Sequence, residues 1–144
     1  MANHDADLPL LDEFHPYQEE ADEAYMNPRQ QAHFRNILQR WRRSLMEEVD
    51  RTVDNMQAGT VHHADPNDRA TQESDMGLEL RTRDRERKLL NKIDKTLHLI
   101  DEDEYGYCKN CGVEIGIRRL EARPTADLCI DCKTRQEEQE KQYS

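Results

Sequence analysis

The sequence predicts a mainly α chain, a long antiparallel helical hairpin projecting from a small globular domain that holds four cysteines and a C-terminal helix. Three observations predict it. One long stretch carries apolar residues at steps of three, four or seven, a seam closer to a coiled coil than to a globular helix, and a second carries a seam with one interruption. Each stretch opens on an Asn-Pro or Asp-Pro start, at Asn27-Pro28 and Asp65-Pro66. All four cysteines of the chain fall in the pattern Cys108-x2-Cys111-x17-Cys129-x2-Cys132.

Composition agrees with an elongated shape. Of 144 residues only 35% are hydrophobic and 36% are charged, too polar for one compact core of that length. No apolar run approaches the ~20 residues of a bilayer span. Residues 1–14 lack the basic and apolar regions of a secretory signal, so the expectation is a soluble cytoplasmic chain. The net charge of -10 argues against duplex DNA as the partner, because phosphate neutralisation supplies most of that affinity. A basic protein cavity suits such a chain better.

The elements follow in order. Residues 1–27 read as an irregular, acidic arm, with Leu8, Leu10, Leu11, Phe14 and Tyr17 expected to pack on or near the globular part. Asn27 is the expected N-cap of the first helix and Pro28 its first residue. The helix runs to about Met56, with Phe34, Leu38, Trp41, Leu45, Val49 and Met56 as its seam and Thr52 and Val53 bridging the last interval. Gly59 breaks it, and a polar connection leads to a second cap at Asp65. The second helix runs to about Glu104, with Met76, Leu80, Leu90, Ile93, Leu97 and Ile100 as its seam. That seam is interrupted from Arg81 to Lys88, where Leu89 offers an alternative face. At ~1.5 Å per residue, about 30 and 38 residues give helices near 45 and 57 Å. The hairpin is therefore residues 28–104, with its tip near 57–70, and it is shaped to reach into something.

The last unit is 105–144. Two Cys-x2-Cys hooks separated by about 15–20 residues mark an all-thiolate tetrahedral zinc site. Gly112 follows the first hook, where a positive φ turns backbone N–H groups toward sulfur. The second hook runs into a glycine-free stretch of helix formers, which sets its thiolates at a helix N-terminus. A pair of disulfides and a redox dithiol are the other readings of these residues. The spacing, with neither a secretion signal nor a βαβ pattern, favours zinc. With all four positions filled by protein, the zinc is expected to be structural.

Two charged groups remain. Asp65 and Asp68 open the second helix, where a cap and a first-turn acid are ordinary; His62 and His63 stand beside them. Arg81, Arg85, Lys88 and Lys92 share one helical face, interspersed with Asp84, Glu86 and Asp94. Arg118, Arg119, Arg123 and Lys133 add positive charge near the finger. If the finger folds back on the hairpin base, Lys92, Arg123 and Lys133 would converge on one anion, and a phosphate-rich ligand would suit them.

The stretch from Glu79 to Lys88, the finger from Tyr105 to Lys133 and the tip motif Asp65-Pro-Asn-Asp-Arg-Ala70 resemble the DksA/TraR zinc-finger family. The resemblance spans about Tyr25 to Lys133. It implies a non-enzymatic, monomeric transcription factor with a zinc domain and a coiled-coil hairpin. Such a factor binds bacterial RNA polymerase through the secondary channel and does not read DNA sequence. It also implies that the factor destabilises open promoter complexes and potentiates guanosine tetraphosphate (ppGpp) in the stringent response. Ribosomal RNA promoters would be repressed and some amino-acid biosynthesis promoters activated. Asp65, Asp68 and Ala70 would act at the polymerase active site. Arg85, Leu89, Lys92, Arg123 and Lys133 would hold the alarmone together with the polymerase. Thr82 stands where asparagine is usual. A transcript-cleavage factor whose tip acids recruit magnesium is one rival reading, and a zinc-dependent redox or chaperone protein is the other.

Overall fold

The computed structural model describes residues 15–58 and 66–143. Its helices are α1 (Pro28–Ala58), α2 (Pro66–Asp101), α3 (Ile117–Ala122) and α4 (Ile130–Tyr143). Among the described residues no strand forms, and only an isolated bridge joins Tyr107 to Glu114. The connection expected around Gly59, His62, His63 and the Asp65 cap lies outside the described residues, as do Leu8, Leu10, Leu11 and Phe14.

Helix α1 starts as its sequence dictates. Asn27 Oδ1 accepts from the Gln30 N–H at 2.8 Å, and Pro28 fills the first position without leaving an N–H to satisfy. The Gln30 side chain reaches back to the Met26 N–H at 2.6 Å, one residue earlier than in a standard capping box. The far end of α2 stops in a left-handed turn at Asp103, φ 59°, with Glu104 N–H bonded to Leu99 O at 2.9 Å. That turn ends α2 at Asp101, three residues before the expected Glu104.

The two long helices, 31 and 36 residues, run antiparallel. Arg35 pairs with Asp101 and Arg42 with Asp94, each at 2.7 Å, and Thr52 bonds Glu86 at 2.9 Å. Of the expected α1 seam, Phe34, Leu38, Trp41 and Leu45 are buried, together with Ile37 and Thr52; Val49 is half-buried, and the Met56 side chain lies outside what is described. The α2 seam differs. Its buried residues are Glu86, Leu89, Ile93, Thr96 and Ile100, at steps of three and four, with Leu90 and Leu97 flanking. Leu80, expected in the seam, is 48% exposed. The register set by Ile93 and Ile100 turns positions 79, 82 and 86 inward, and Leu80 sits about 100° round the helix from 79.

The finger and the arm pack on the open end of the hairpin. Tyr105 is 2% exposed, lies 5.6 Å from the Phe34 ring and donates to Pro124 O at 2.7 Å. Tyr25 Oη donates to Gly106 O at 2.7 Å and accepts from Gly116 N–H at 3.0 Å. Gly106, at φ 97°, has no room for a side chain: a Cβ would lie 2.8 Å from Met26 Cε and 2.9 Å from Tyr25 Oη. The Tyr17 N–H donates to Glu121 Oε2 at 2.9 Å, and His33 Nε2 lies 3.6 Å from the same oxygen. Arm, α1 and α3 thus meet at one buried carboxylate. Burial lowers the His33 pKa, against the opposing pull of Glu121. No helix among the described residues is long and apolar enough to cross a membrane.

Candidate metal centre and partner surfaces

The first cysteine hook sits in a tight turn. Cys108 N–H bonds Val113 O at 2.8 Å and Gly112 N–H bonds Cys108 O at 2.9 Å, with Gly112 at φ 80° as its position requires. The second hook opens α4. Cys129 stands just before the first residue of that helix, and its Sγ accepts from the Cys132 N–H at 3.4 Å, where a capping oxygen would normally serve. The end of the helix dipole that favours negative charge therefore faces the thiolates.

These two turns bring the Sγ atoms of Cys108, Cys111, Cys129 and Cys132 within 4.8 Å of one another. None of the four is in a disulfide. A tetrahedron with ~2.3 Å metal–sulfur bonds has edges of about 3.8 Å. Cys111 and Cys129 Sγ lie 3.7 Å apart, so this donor set fits a zinc ion. Titration of the thiols points the same way. Burial pushes the Cys108 thiol up, but backbone N–H groups of Cys129, Cys111 and Asn110 outweigh it and bring it to about 6. At Cys111 the Val113 N–H favours the thiolate, yet desolvation and the Cys108, Cys129 and Cys132 sulfurs lift the thiol to about 11. The Cys108 proton therefore leaves more easily than that of Cys111. Four thiolates gather only around a cation.

Two supporting groups were not singled out in the sequence. Asn110 Nδ2 donates to Cys132 Sγ at 3.4 Å, and Arg135 Nη2 approaches the same sulfur at 3.8 Å. Each had a signal: Asn110 lies inside the first hook, and Arg135 follows Cys132 by three positions on one helix face.

The remaining candidates fall on four places. Asp65 lies outside the described residues. Asp68 is in the first turn of α2, its side chain undescribed, and Ala70 is exposed one turn from the helix start. Arg85, Leu89 and Lys92 line one groove of about 470 Å³ together with Arg81, Asp84 and Lys88. Of these, Leu89 is buried, while Arg85 and Lys92 are exposed. Arg123, just past α3, lines a different groove with Arg118, Arg119 and Ile130. Lys133, half-buried on α4, has Nζ 3.4 Å from Gln136 Oε1. Thr82 Oγ1 donates to Leu78 O at 3.0 Å, so its hydroxyl is engaged by its own helix.

Residues 30–100 match the family described as DnaK suppressor protein DksA, N-terminal domain. Residues 103–138 match the prokaryotic dksA/traR C4-type zinc finger. A relative from Escherichia coli K12, named RNA polymerase-binding transcription factor DksA, is 63% identical over 129 residues, which is 90% of this chain and 85% of the relative. The Haemophilus influenzae protein of the same name is 59% identical over 141 residues, 96% of this chain and 97% of its own. A solved structure of transcription factor DksA2 from Pseudomonas aeruginosa superposes with a TM-score of 0.79 at 39% identity, covering 86% of this chain and 94% of that one.

Proposed function

Because the chain belongs to the DksA family of C4 zinc-finger proteins, a non-enzymatic family, we propose that it is an RNA polymerase-binding transcription factor. The observation that carries this reading is the 63% identity, over 90% of the chain, to a relative named for polymerase binding. The proposal extends to mechanism. The hairpin enters the polymerase secondary channel, and the chain destabilises open promoter complexes and potentiates guanosine tetraphosphate. Ribosomal RNA promoters are repressed and some amino-acid biosynthesis promoters activated. The factor works in the cytoplasm as a monomer and reads no DNA sequence.

The residues divide the work. Cys108, Cys111, Cys129 and Cys132 hold one structural zinc ion that fixes the finger against the hairpin base. Asp65, Asp68 and Ala70 act at the tip. Arg85, Leu89, Lys92, Arg123 and Lys133 contribute to the alarmone site that forms with polymerase. Two facts support that last group: the cationic groove that gathers Arg85, Leu89 and Lys92, and the charge-assisted contacts such cations make with phosphate.

The deciding experiment is Asp68→Asn, which removes charge, keeps size and spares the expected cap at Asp65. Polymerase affinity and open-complex lifetime are measured for wild type and variant, with and without alarmone. The expected result is unchanged affinity with inhibition lost. A mere helix-dipole role is worth about 0.3–1 kcal/mol of local stability, so intact inhibition at normal affinity would return Asp68 to that role. Failure of the wild type to bind polymerase would sink the whole reading.

A further inference from the structure

The described core of the hairpin ends at one layer. Thr52 of α1 and Glu86 of α2 are 7% and 6% exposed, and beyond them toward the tip no described side chain of either helix is buried. Thr52 Oγ1 lies 2.9 Å from Glu86 Oε1 and 3.0 Å from Glu48 O, so a single hydroxyl proton faces two acceptors. Glu86 Oε2 is buried with no hydrogen-bond partner among the described residues. Such a layer is less stable than well-packed apolar side chains of the same volume.

In coiled coils a buried polar layer often fixes register. Here register is fixed by other means: both helices belong to one chain, and the buried apolar contacts of Phe34, Leu38, Ile93 and Ile100 pin the base. A second weakening lies further out. Gly77 stands in the interior of α2, and a Cβ there would meet nothing within 4 Å, so packing does not call for glycine. Interior glycine destabilises a helix by enlarging the freedom of the unfolded backbone. Two unrelated features thus lower stability, one where the described core ends and one beyond it.

We propose that the Thr52–Glu86 layer is a positioning element. It divides the hairpin into a fixed base and two distal stretches, 53–57 and 70–85, held near local opening, which lets those stretches rearrange as the hairpin docks. Segments that must adapt on binding are drawn from the least stable parts of a structure. The division stands on the hairpin alone, whereas its use in docking rests on the polymerase reading.

Amide hydrogen exchange on the full-length, zinc-loaded protein tests the division. Thr52→Val with Glu86→Leu is expected to slow exchange across 53–57 and 70–85 by about tenfold, with 34–45 and 89–100 unchanged. Thr52→Ala removes the hydroxyl and should speed the same distal amides. Unchanged distal exchange in both variants, or equal slowing of both halves, overturns the division. Polymerase assays test the use. The double variant should bind with normal affinity and lose inhibition, while Glu86→Gln, which preserves shape and the Thr52 contact, retains it. Slowed exchange with full inhibition overturns the positioning role and leaves polymerase docking intact. Wild type that fails to bind polymerase overturns that role together with the docking reading, whatever the exchange rates show.

Discussion

The base and the distal half of the hairpin are made from the same two helices and differ in what fills the space between them. At the base, Phe34, Leu38, Trp41, Ile93 and Ile100 are almost wholly buried, and Tyr105 of the finger closes the end. Toward the tip the inward positions of α2 are Glu79, Thr82 and Glu86, and Leu78 and Leu80 stand about half exposed. Among the described residues, burial is therefore concentrated where the arm and finger dock. The distal half contributes length. A long hairpin can keep a fixed root and an adaptable end only if the two have different cores.

The strongest way to break the contrast is to take away the metal. The finger segment 105–133 has few large apolar side chains, and structural zinc sites contribute roughly 10–16 kcal/mol of apparent binding free energy. Cys111→Ser should lose zinc and loosen both the finger and the base it covers, erasing the advantage of the base over the tip. Zinc content and thermal melts check this. A variant with no metal and wild-type stability would show that the apolar contacts at Tyr105 suffice alone.

Next in size is a deletion inside the base core. Phe34 is 0% exposed and touches the rings of His33 and Tyr105, so Phe34→Ala should cost about 3–5 kcal/mol. Val53→Ala, at a half-buried position just past the last core layer, should cost about 1 kcal/mol or less. Denaturant midpoints for the pair measure the contrast directly. Equal losses would mean that the distal half carries a core the burial pattern does not reveal.

A smaller change sharpens the contrast from the other side. Gly77→Ala introduces a methyl group into open space in a helix interior, and should stabilise α2 by about 0.5–1 kcal/mol. The gain should appear as slower amide exchange around 70–85, with the base unaffected. Destabilisation would mean that glycine is needed there for a backbone shape other than helix.

Much of this was legible in the sequence because short-range chemistry specifies it. Asn27-Pro28 marks a helix start through one side-chain oxygen and one missing N–H, and the structure shows both at work. The cysteine spacing and Gly112 act over a few residues and likewise transfer directly into geometry. The α2 seam was harder. Leu80 and Leu90 look like seam residues by composition, yet the register is set from Ile93 and Ile100, and it puts Glu86 inside and Leu80 outside. A carboxylate in the seam contradicts the hydrophobic pattern, so only the pairing with Thr52, 34 positions away, reveals it. The Glu121 junction was hidden for the same reason. Its partners Tyr17 and His33 come from distant parts of the chain.

The smallest expected effect comes from proton uptake at the base. Glu23 accepts hydrogen bonds from Tyr17 Oη, from Asn27 Nδ2 at 2.7 Å and from the Glu20 N–H at 2.9 Å. Those donors, Tyr17 foremost, hold its carboxyl at about 2, below the ordinary 4.5. The folded state therefore binds the proton less readily than the unfolded chain does. Its contribution is complete above about pH 4.5 and is lost as pH falls toward 2. The melting-temperature difference between wild type and Glu23→Gln should be flat from neutral pH to about 4.5 and shrink below it. Because Glu23 tethers the arm to the start of α1, the loss should register as faster exchange in 15–27 and leave 70–85 unmoved. A difference that stays constant down to pH 2 would show that Glu23 serves equally well protonated, as a neutral acceptor for Tyr17.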